Sequence, residues 1–224
     1  MLRRIAAELL GSLLLAAAVI GSGVMAEQLA QGNTAVALLA NTAATVAMLA
    51  TLITLFGPIS GAHFNPVVSL AALIRRRQHW RETIFYIAAQ VLGCCLGALL
   101  AHGMFNLPLI QSSMHARDGI AQLVAEFTAT FGLLLVVLGH RRPQDAAWMV
   151  AGWIGAAYWF TSSTSFANPA ITIARSLTDT FSGIRSADVV GFIGAQLAAT
   201  LTACAIAPLL FDDPRSSSVT DGLE

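Results

Sequence analysis

Residues 165–175 read SFANPAITIAR, and residues 61–70, in the other half of the chain, read GAHFNPVVSL. Each stretch places an Asn where a helix N-cap is favoured and a Pro at the first helical position. The missing N–H of proline costs nothing at that position, and its fixed φ suits a helix. A single Asn-Pro pair commonly only starts a turn. Two pairs at matching places predict two loops that each lead into a short helix.

The composition is that of an integral membrane protein. Of 224 residues, 56% are hydrophobic and 11% are charged, and the mean hydropathy is +0.72. The net charge is zero, so the composition indicates no nucleic-acid partner. The three cysteines lie in apolar runs without metal-ligand or disulfide spacing, and no Ser, His or Asp stands in a nucleophile-elbow context. We therefore predict no catalytic residue, no metal and no cofactor.

Six apolar segments are long enough to cross a bilayer. They are Ile5–Met25, Thr34–Phe56, Thr83–Gly103, Ile120–Gly139, Ala146–Ser163 and Ala187–Leu210. The first 26 residues also fit a signal peptide, but Glu8 inside the apolar run favours a retained first span.

The two Asn-Pro segments follow the second and fifth spans and are too short to cross alone. A helix from Asn65 to Arg76 would measure roughly 18 Å, against a hydrocarbon core of about 30 Å. Membranes tolerate such re-entrant segments where irregular backbone is buried in protein or lines a water-filled cavity. Two half-helices that enter from opposite sides and meet cap to cap would span the bilayer together.

The two halves also match outside these segments. Ala7-Glu8 of the first span corresponds to Ala125-Glu126 of the fourth, and Ala89-Gln90 of the third corresponds to Ala195-Gln196 of the sixth. With three spans per half, the second half must enter from the opposite side. We predict an all-α membrane protein of six transmembrane helices and two re-entrant half-helices in an inverted 3+3 repeat. One transmembrane domain covers 1–210, with repeats at about 1–106 and 119–210, and a polar tail covers 211–224.

Arginine positions near the span ends predict the orientation. Nine would share one face: Arg3, Arg4, Arg75, Arg76, Arg77, Arg81, Arg141, Arg142 and Arg215. The remaining three would lie on the other face or in the interior: Arg117, Arg175 and Arg185. Both termini are therefore expected in the cytoplasm.

The paired boxes, the SGAHF lead-in at 60–64 and the repeated Glu and Gln positions resemble the aquaporins and aquaglyceroporins, the major intrinsic protein family. The resemblance covers about residues 5–210. It implies a passive channel for water and small uncharged solutes in a bacterial plasma membrane, assembled as a homotetramer with one pore per subunit. The run ITIARSLTDTF at 171–181 further resembles aquaporin-like channels of bacterial arsenic-resistance operons. That likeness implies neutral arsenite or methylated arsenicals as solutes beside glycerol-like polyols.

Opposed half-helices would direct the positive ends of their dipoles at one point, which disfavours a cation or a hydronium ion there. Asn65 and Asn168 can each offer an amide N–H to a passing oxygen at that point. By resemblance, His63, Val67 and Ala170 also lie at the pore midplane. The carboxyl groups inside apolar helices require partners. By resemblance, the residues that support the loops are Glu8, Glu126, Gln90 and Gln196.

The expected outer constriction departs from the family pattern. The family usually places an arginine directly after the second box, where this chain has Ile171. Counting by the family's spacing assigns the other constriction positions to Thr45, Ala156 and Ser165, which predicts a wide and weakly polar filter. Arg175 lies four residues after Ile171, on nearly the same helix face and about 6 Å further out. It either reaches back to the constriction, or faces the outer vestibule or pairs with Asp179.

Two other classes share features with this reading. A secondary transporter also uses inverted repeats and broken helices, but it needs coupling carboxylates at the site and hinges. A structural membrane protein would use the same fold with a closed pore. The opposed dipoles and the small filter residues favour an open, passive channel.

Overall fold

The computed structural model describes residues 1–140 and 145–211, and it confirms the all-α fold. Its helices are α1 (Leu2–Leu29), α2 (Thr34–Ser60), α3 (Pro66–Ile74), α4 (Trp80–Met104), α5 (Ile120–Gly139), α6 (Ala146–Phe160), α7 (Pro169–Arg175) and α8 (Ser186–Phe211). Three of the arginines used to predict the orientation lie outside the described residues: Arg141, Arg142 and Arg215. The polar tail beyond Phe211 lies outside them too.

Five of the described helices, α1, α2, α4, α5 and α8, are long and apolar enough to cross a membrane. The fifth predicted span is shorter than expected. Its helix, α6, ends at Phe160 rather than Ser163, and 15 residues give it a length of about 22 Å. At Thr161 the backbone leaves the helical conformation and enters the loop of the second box. The α1 helix packs against α2 and α4, so residues 2–29 are part of the folded domain.

Helix packing follows the internal repeat. The pairs α1–α2 and α1–α4 in the first half correspond to α5–α6 and α5–α8 in the second. Each half-helix packs against a helix of both halves: α3 contacts α4 and α8, and α7 contacts α8 and α4. Each short helix therefore lies between the two halves, which places the two boxes at the centre of the molecule.

The α1–α4 contact depends on two glycines of α4. A Cβ atom at Gly93 would lie 2.4 Å from the carbonyl oxygen of Leu9, and one at Gly97 would lie 2.3 Å from that of Leu13. Small residues of this kind allow helix backbones to approach closely in a membrane, where packing rather than water exclusion holds helices together.

Both half-helices begin as the Asn-Pro pairs predict. The Asn65 side chain caps α3, and the Asn168 side chain caps α7, with Pro at the first helical position in each. The first is shorter than predicted, because α3 ends at Ile74 and Arg76 adopts a positive φ of 55°. At nine and seven residues, α3 and α7 measure about 13 and 10 Å.

Candidate functional site

Glu8, fully buried on α1, holds the first re-entrant loop. Its Oε1 accepts hydrogen bonds from the Ser60 hydroxyl at 2.6 Å and the His63 N–H at 3.0 Å. Its Oε2 accepts from the Phe64 N–H at 2.7 Å and the Gln90 amide at 2.8 Å. Four donors around one carboxyl group offset the loss of its hydration and fix the loop backbone.

Glu126 on α5 repeats this arrangement in the second loop. Its Oε1 accepts from the Ser163 hydroxyl at 2.7 Å and the Phe166 N–H at 2.8 Å. Its Oε2 accepts from the Ala167 N–H at 2.9 Å and the Gln196 amide at 2.7 Å. The two glutamines make matching second bonds, Gln90 to the Ser69 hydroxyl at 2.9 Å and Gln196 to the Thr172 hydroxyl at 3.0 Å.

The loops also share an unusual backbone. Ala62 and Ser165 both have a φ of 50°, and Phe64 and Ala167 have φ values of 48° and 47°. Non-glycine residues rarely adopt this left-handed region, and they do so where surrounding contacts fix the conformation. Here the N–H groups of Phe64 and Ala167 point at the buried carboxylates of Glu8 and Glu126, which supply those contacts.

The caps of the half-helices bind each other's loops. The Asn65 side-chain N–H donates to the Ala167 carbonyl at 2.8 Å, and the Asn168 side-chain N–H donates to the Phe64 carbonyl at 2.8 Å. At the same time, Asn65 Oδ1 accepts from the Val67 N–H, and Asn168 Oδ1 accepts from the N–H groups of Ala170 and Ile171. The two half-helices therefore meet cap to cap, with their C-termini directed away from each other.

A cavity of about 790 Å³ runs past this junction. Both asparagines and His63 contribute to its wall. Arg77, beyond the C-terminus of α3, and Arg175, at the C-terminus of α7, also line it. Since these two helix ends point in opposite directions, the cavity extends to both sides of the asparagine pair. The imidazole of His63 is fixed by a 3.0 Å contact between Nδ1 and the Ser69 hydroxyl and by the ring of Tyr86.

The residues expected at the constriction divide into two groups. Thr45, Ser165 and Ile171 line the cavity and are almost fully buried. Ala156 is exposed and does not line it, so that assignment is wrong. Helix periodicity explains the error, because Ile154 and Tyr158 share one face of α6 and turn it toward the cavity while Ala156 lies on the other face.

Tyr158 was missed by sequence reasoning and, unlike Ala156, lines the cavity. Its hydroxyl is 3.5 Å from the Thr45 hydroxyl, so the two hydroxyls stand side by side in the cavity wall. Two residues expected at the midplane, Val67 and Ala170, have fully buried side chains that do not line the cavity. Their backbone N–H groups bind the capping asparagines instead.

Arg175 folds back over the second loop. Its Cζ lies 3.4 Å from the centroid of the Phe166 ring, its Nε donates to the Ser182 carbonyl, and the side chain is 3% exposed. Within the described ranges it makes no ion pair with Asp179, whose carboxylate accepts from the Met114 N–H. That predicted pairing is therefore wrong, and the guanidinium lines the cavity.

Sequence reasoning also missed four hydroxyl residues, although they repeat at matching distances from the two asparagines. Ser60 and Ser163 each stand five positions before the asparagine of their box, and Ser69 and Thr172 each stand four positions after it. These matched hydroxyls bind the buried glutamates and glutamines of the two halves. Arg117, whose Cζ lies 5.0 Å from the Phe166 ring, has no such repeat and could not be found in this way.

Comparisons with known proteins identify the family of this chain. The family model for "Major intrinsic protein" matches residues 1–158. The chain is 50% identical over 215 residues to the aquaglyceroporin AqpS of Rhizobium meliloti (strain 1021), covering 95% of this chain and 92% of that protein. It is 40% identical over 98 residues to aquaporin NIP1-1 of Oryza sativa subsp. japonica, 43% of this chain and 34% of the relative.

The fold also matches a solved structure. The aquaglyceroporin from Plasmodium falciparum superposes with a TM-score of 0.66 over 92% of this chain and 94% of that one, at 20% identity, which is a likeness of fold alone. The family match and the bacterial relative together decide the assignment. The chain belongs to the major intrinsic protein family, and like its relatives it is a membrane channel for water and small solutes rather than an enzyme.

Proposed function

We propose that this protein is a passive channel with a wide, weakly polar filter that admits small uncharged solutes with several hydroxyl groups and rejects ions and protons. One observation carries the proposal: a single cavity passes the paired asparagines and reaches the outward ends of both half-helices. A solute in this cavity meets two helix N-termini at the junction of Asn65 and Asn168. The positive ends of the helix dipoles disfavour a cation at that point. A charge at the bilayer centre costs a further ~2.5–3.5 kcal/mol.

The buried carboxylates support a channel over a secondary transporter. Neither Glu8 nor Glu126 lines the cavity, and each already accepts four hydrogen bonds from the protein. A coupling carboxylate has to face the substrate path and exchange a proton or bind a cation. Carboxylates that hold a loop through four hydrogen bonds do not suit that role. The open cavity separately argues against a structural protein with a closed pore.

The filter composition supports solutes larger than water. Ile171, Thr45 and Ser165 are small or aliphatic, and Tyr158 adds one hydroxyl beside Thr45. The Thr45 and Tyr158 hydroxyls offer hydrogen bonds to a polyol, and the aliphatic atoms of the wall offer apolar contact to its carbon atoms. The relative AqpS is named an aquaglyceroporin, which favours glycerol as one solute. Neutral arsenite resembles a small polyol in size and hydrogen bonding, so we include it and its methylated derivatives among the expected solutes.

We further propose that residues 1–210 form one channel domain in the plasma membrane, with both termini in the cytoplasm and with four copies per assembly. The bacterial relative and the arginine pattern support the membrane and the orientation. Large apolar side chains are exposed on the helices, as a lipid-facing or subunit-facing surface requires. A mass measurement that finds only monomers in mild detergent would contradict the tetramer.

Replacing Ile171 with Arg tests the filter. The long side chain would narrow the cavity while still donating hydrogen bonds to water. We expect Ile171→Arg to lower glycerol and arsenite flux more than water flux, measured by stopped-flow swelling of proteoliposomes. Proton flux should stay at the level of empty vesicles in both proteins.

Ile173→Arg is the matched control, because Ile173 lies on the same half-helix but does not line the cavity. It should leave the ratio of solute to water permeability as in the unchanged protein. If Ile171→Arg also left this ratio unchanged, Ile171 would not form the constriction and the wide-filter proposal would fail.

A further inference from the structure

Arg175 is a buried cation whose hydrogen-bond donors are mostly unused. A guanidinium carries five N–H donors. Within the described residues only Nε–H has an acceptor, the Ser182 carbonyl, and Nη1 is buried without a partner. Unpaired donors on a buried charge are costly, so this group should bind an acceptor that the protein itself does not supply. Arg175 is among the residues that line the cavity, so a solute that displaces the atoms covering Nη1 can supply that acceptor.

A second cation lies beside the first. Arg117 and Arg175 both pack on the ring of Phe166, with Cζ atoms 5.0 and 3.4 Å from its centroid. The guanidinium of Arg117 donates to two carbonyl oxygens, those of Gly183 at 2.8 Å and Ser163 at 3.2 Å. Across ranges 1–140 and 145–211, neither arginine forms an ion pair with a carboxylate. Glu126 attracts both charges from a distance, but no carboxylate among the described residues is in contact with either guanidinium.

Two other arginines, one lining the cavity and one on the side of Arg175, are paired with carboxylates. Arg4, which lines the opposite end of the cavity, lies 2.5 Å from a carboxylate oxygen of Glu82. Arg185, on the same side as Arg175, binds Asp118 at 3.1 Å and Asp188 at 2.8 Å. Among the described arginines on the side of Arg175, the two without a carboxylate in contact belong to the Phe166 cluster, which we define as Arg117, Phe166 and Arg175. A cavity with apolar walls focuses such a potential and raises the local concentration of anions.

We propose that the Phe166 cluster is a binding site for a small monovalent oxyanion, which Arg175 holds at the end of the cavity. The planar guanidinium fork matches two oxygens of one acid group, and the charge of Arg117 strengthens the attraction. This inference rests on the proposed channel function, because the bound anion stands in the path of neutral solutes. It slows their flux without crossing the asparagine junction itself.

Methylphosphonate is a suitable probe, because its anion is small, tetrahedral and poorly permeable through lipid. Glycerol flux into proteoliposomes is measured at increasing sodium methylphosphonate, with sodium chloride at equal ionic strength as reference. We expect saturable inhibition in the unchanged protein. Loss of a hydrogen bond to a charged group should raise the half-inhibiting concentration roughly tenfold or more in Arg175→Gln. Arg175→Lys, which keeps the charge but not the fork, should raise it less.

Arg185→Gln is the matched control, since it removes one positive charge from the same side at a paired, exposed position. It should leave the half-inhibiting concentration within about twofold of the unchanged protein, as expected for a screened surface charge. An equal effect of Arg185→Gln and Arg175→Gln, or no inhibition of the unchanged protein, would overturn the proposal.

A binding measurement separates this inference from the channel function. An anion that binds only the folded protein raises its melting temperature by mass action. Methylphosphonate should therefore stabilise the detergent-solubilised protein, and Arg175→Gln should abolish the shift. A protein that shows the shift but no glycerol flux would refute the channel proposal alone. Glycerol flux without inhibition or thermal shift would refute the anion site alone.

Discussion

The two re-entrant loops are nearly identical in their supports and different in what they present to the cavity. In each, a buried glutamate accepts a serine hydroxyl, two backbone N–H groups and a glutamine amide. The residue two positions before the asparagine differs: the first loop has His63, and the second has Phe166 with two arginines packed on its ring. The repeated part holds the backbone, and the unrepeated part gives the two ends of the cavity different chemistry.

If the supports are equivalent, their removal should be equally damaging. Glu8→Gln and Glu126→Gln each replace an acceptor oxygen with an NH₂ group that faces donors. We expect each variant to lose roughly 2–4 kcal/mol of stability, because buried donors are left unpaired. The melting temperature and expression yield of the detergent-solubilised protein measure this loss.

Glu27→Gln is the control for the glutamate pair. The Glu27 carboxylate is exposed and accepts a single backbone N–H, that of Phe181. Its replacement should lower stability by less than about 1 kcal/mol. A large difference between the Glu8 and Glu126 variants would show that one loop carries more of the fold than the other.

Unlike the loop supports, the helix pairs beside the loops differ between the two halves. Gly93 and Gly97 of α4 correspond to Ala199 and Ala203 of α8, so the α1–α4 backbones approach where α5–α8 have room for a methyl group. Gly93→Ala and Gly97→Ala should each cost about 1–3 kcal/mol, because the new Cβ would meet backbone atoms of α1 that cannot move aside. Thermal unfolding of each variant checks this.

Gly194→Ala on α8 is the contrasting case. No atom lies within 4 Å of a Cβ built there, so the methyl group has free space. The better helix propensity of alanine should leave stability unchanged or raise it by up to about 1 kcal/mol. Equal destabilisation by the Gly93 and Gly194 variants would mean that contact with the α1 backbone does not set the cost at Gly93.

The sequence predicts most of the scaffold because the signals are local. An Asn-Pro pair specifies a cap and a first helical turn through its own atoms, and a long apolar run specifies a span through its length. The end of α6 and the register of its cavity face are set by packing against other helices. Counting along the chain therefore assigned Ala156 to the constriction, although Ile154 and Tyr158 are the residues of this part of α6 that line the cavity.

The same limit applies to the charged part of the site. From its spacing to Ile171, the Arg175 side chain could reach back toward the constriction or point to the outer vestibule and Asp179. Its observed direction depends on the Phe166 ring and the Ser182 carbonyl, which it contacts. Arg117 reaches that ring only because the loop after α4 pairs with the segment after α7, through bonds such as Ser113 N–H to the Ser176 carbonyl. Neither contact has a pattern in the sequence.

The smallest expected effect concerns the matched loop positions 62 and 165, which share a φ of 50° but differ by one hydroxyl. The Ser165 hydroxyl is buried without a hydrogen-bond partner, whereas the first loop has Ala62 there. An unpaired buried hydroxyl is destabilising, so Ser165→Ala should raise stability by up to about 1 kcal/mol. Ala62→Ser should lower it by a similar amount. Both variants keep the loop conformation, since alanine and serine already occupy it.

Unfolding in mild detergent, read from tryptophan fluorescence, measures the stability of both variants. A loss of stability in Ser165→Ala would mean that the hydroxyl binds water or solute in the folded channel, and the second loop would then differ from the first in its polar contacts as well as in its charge.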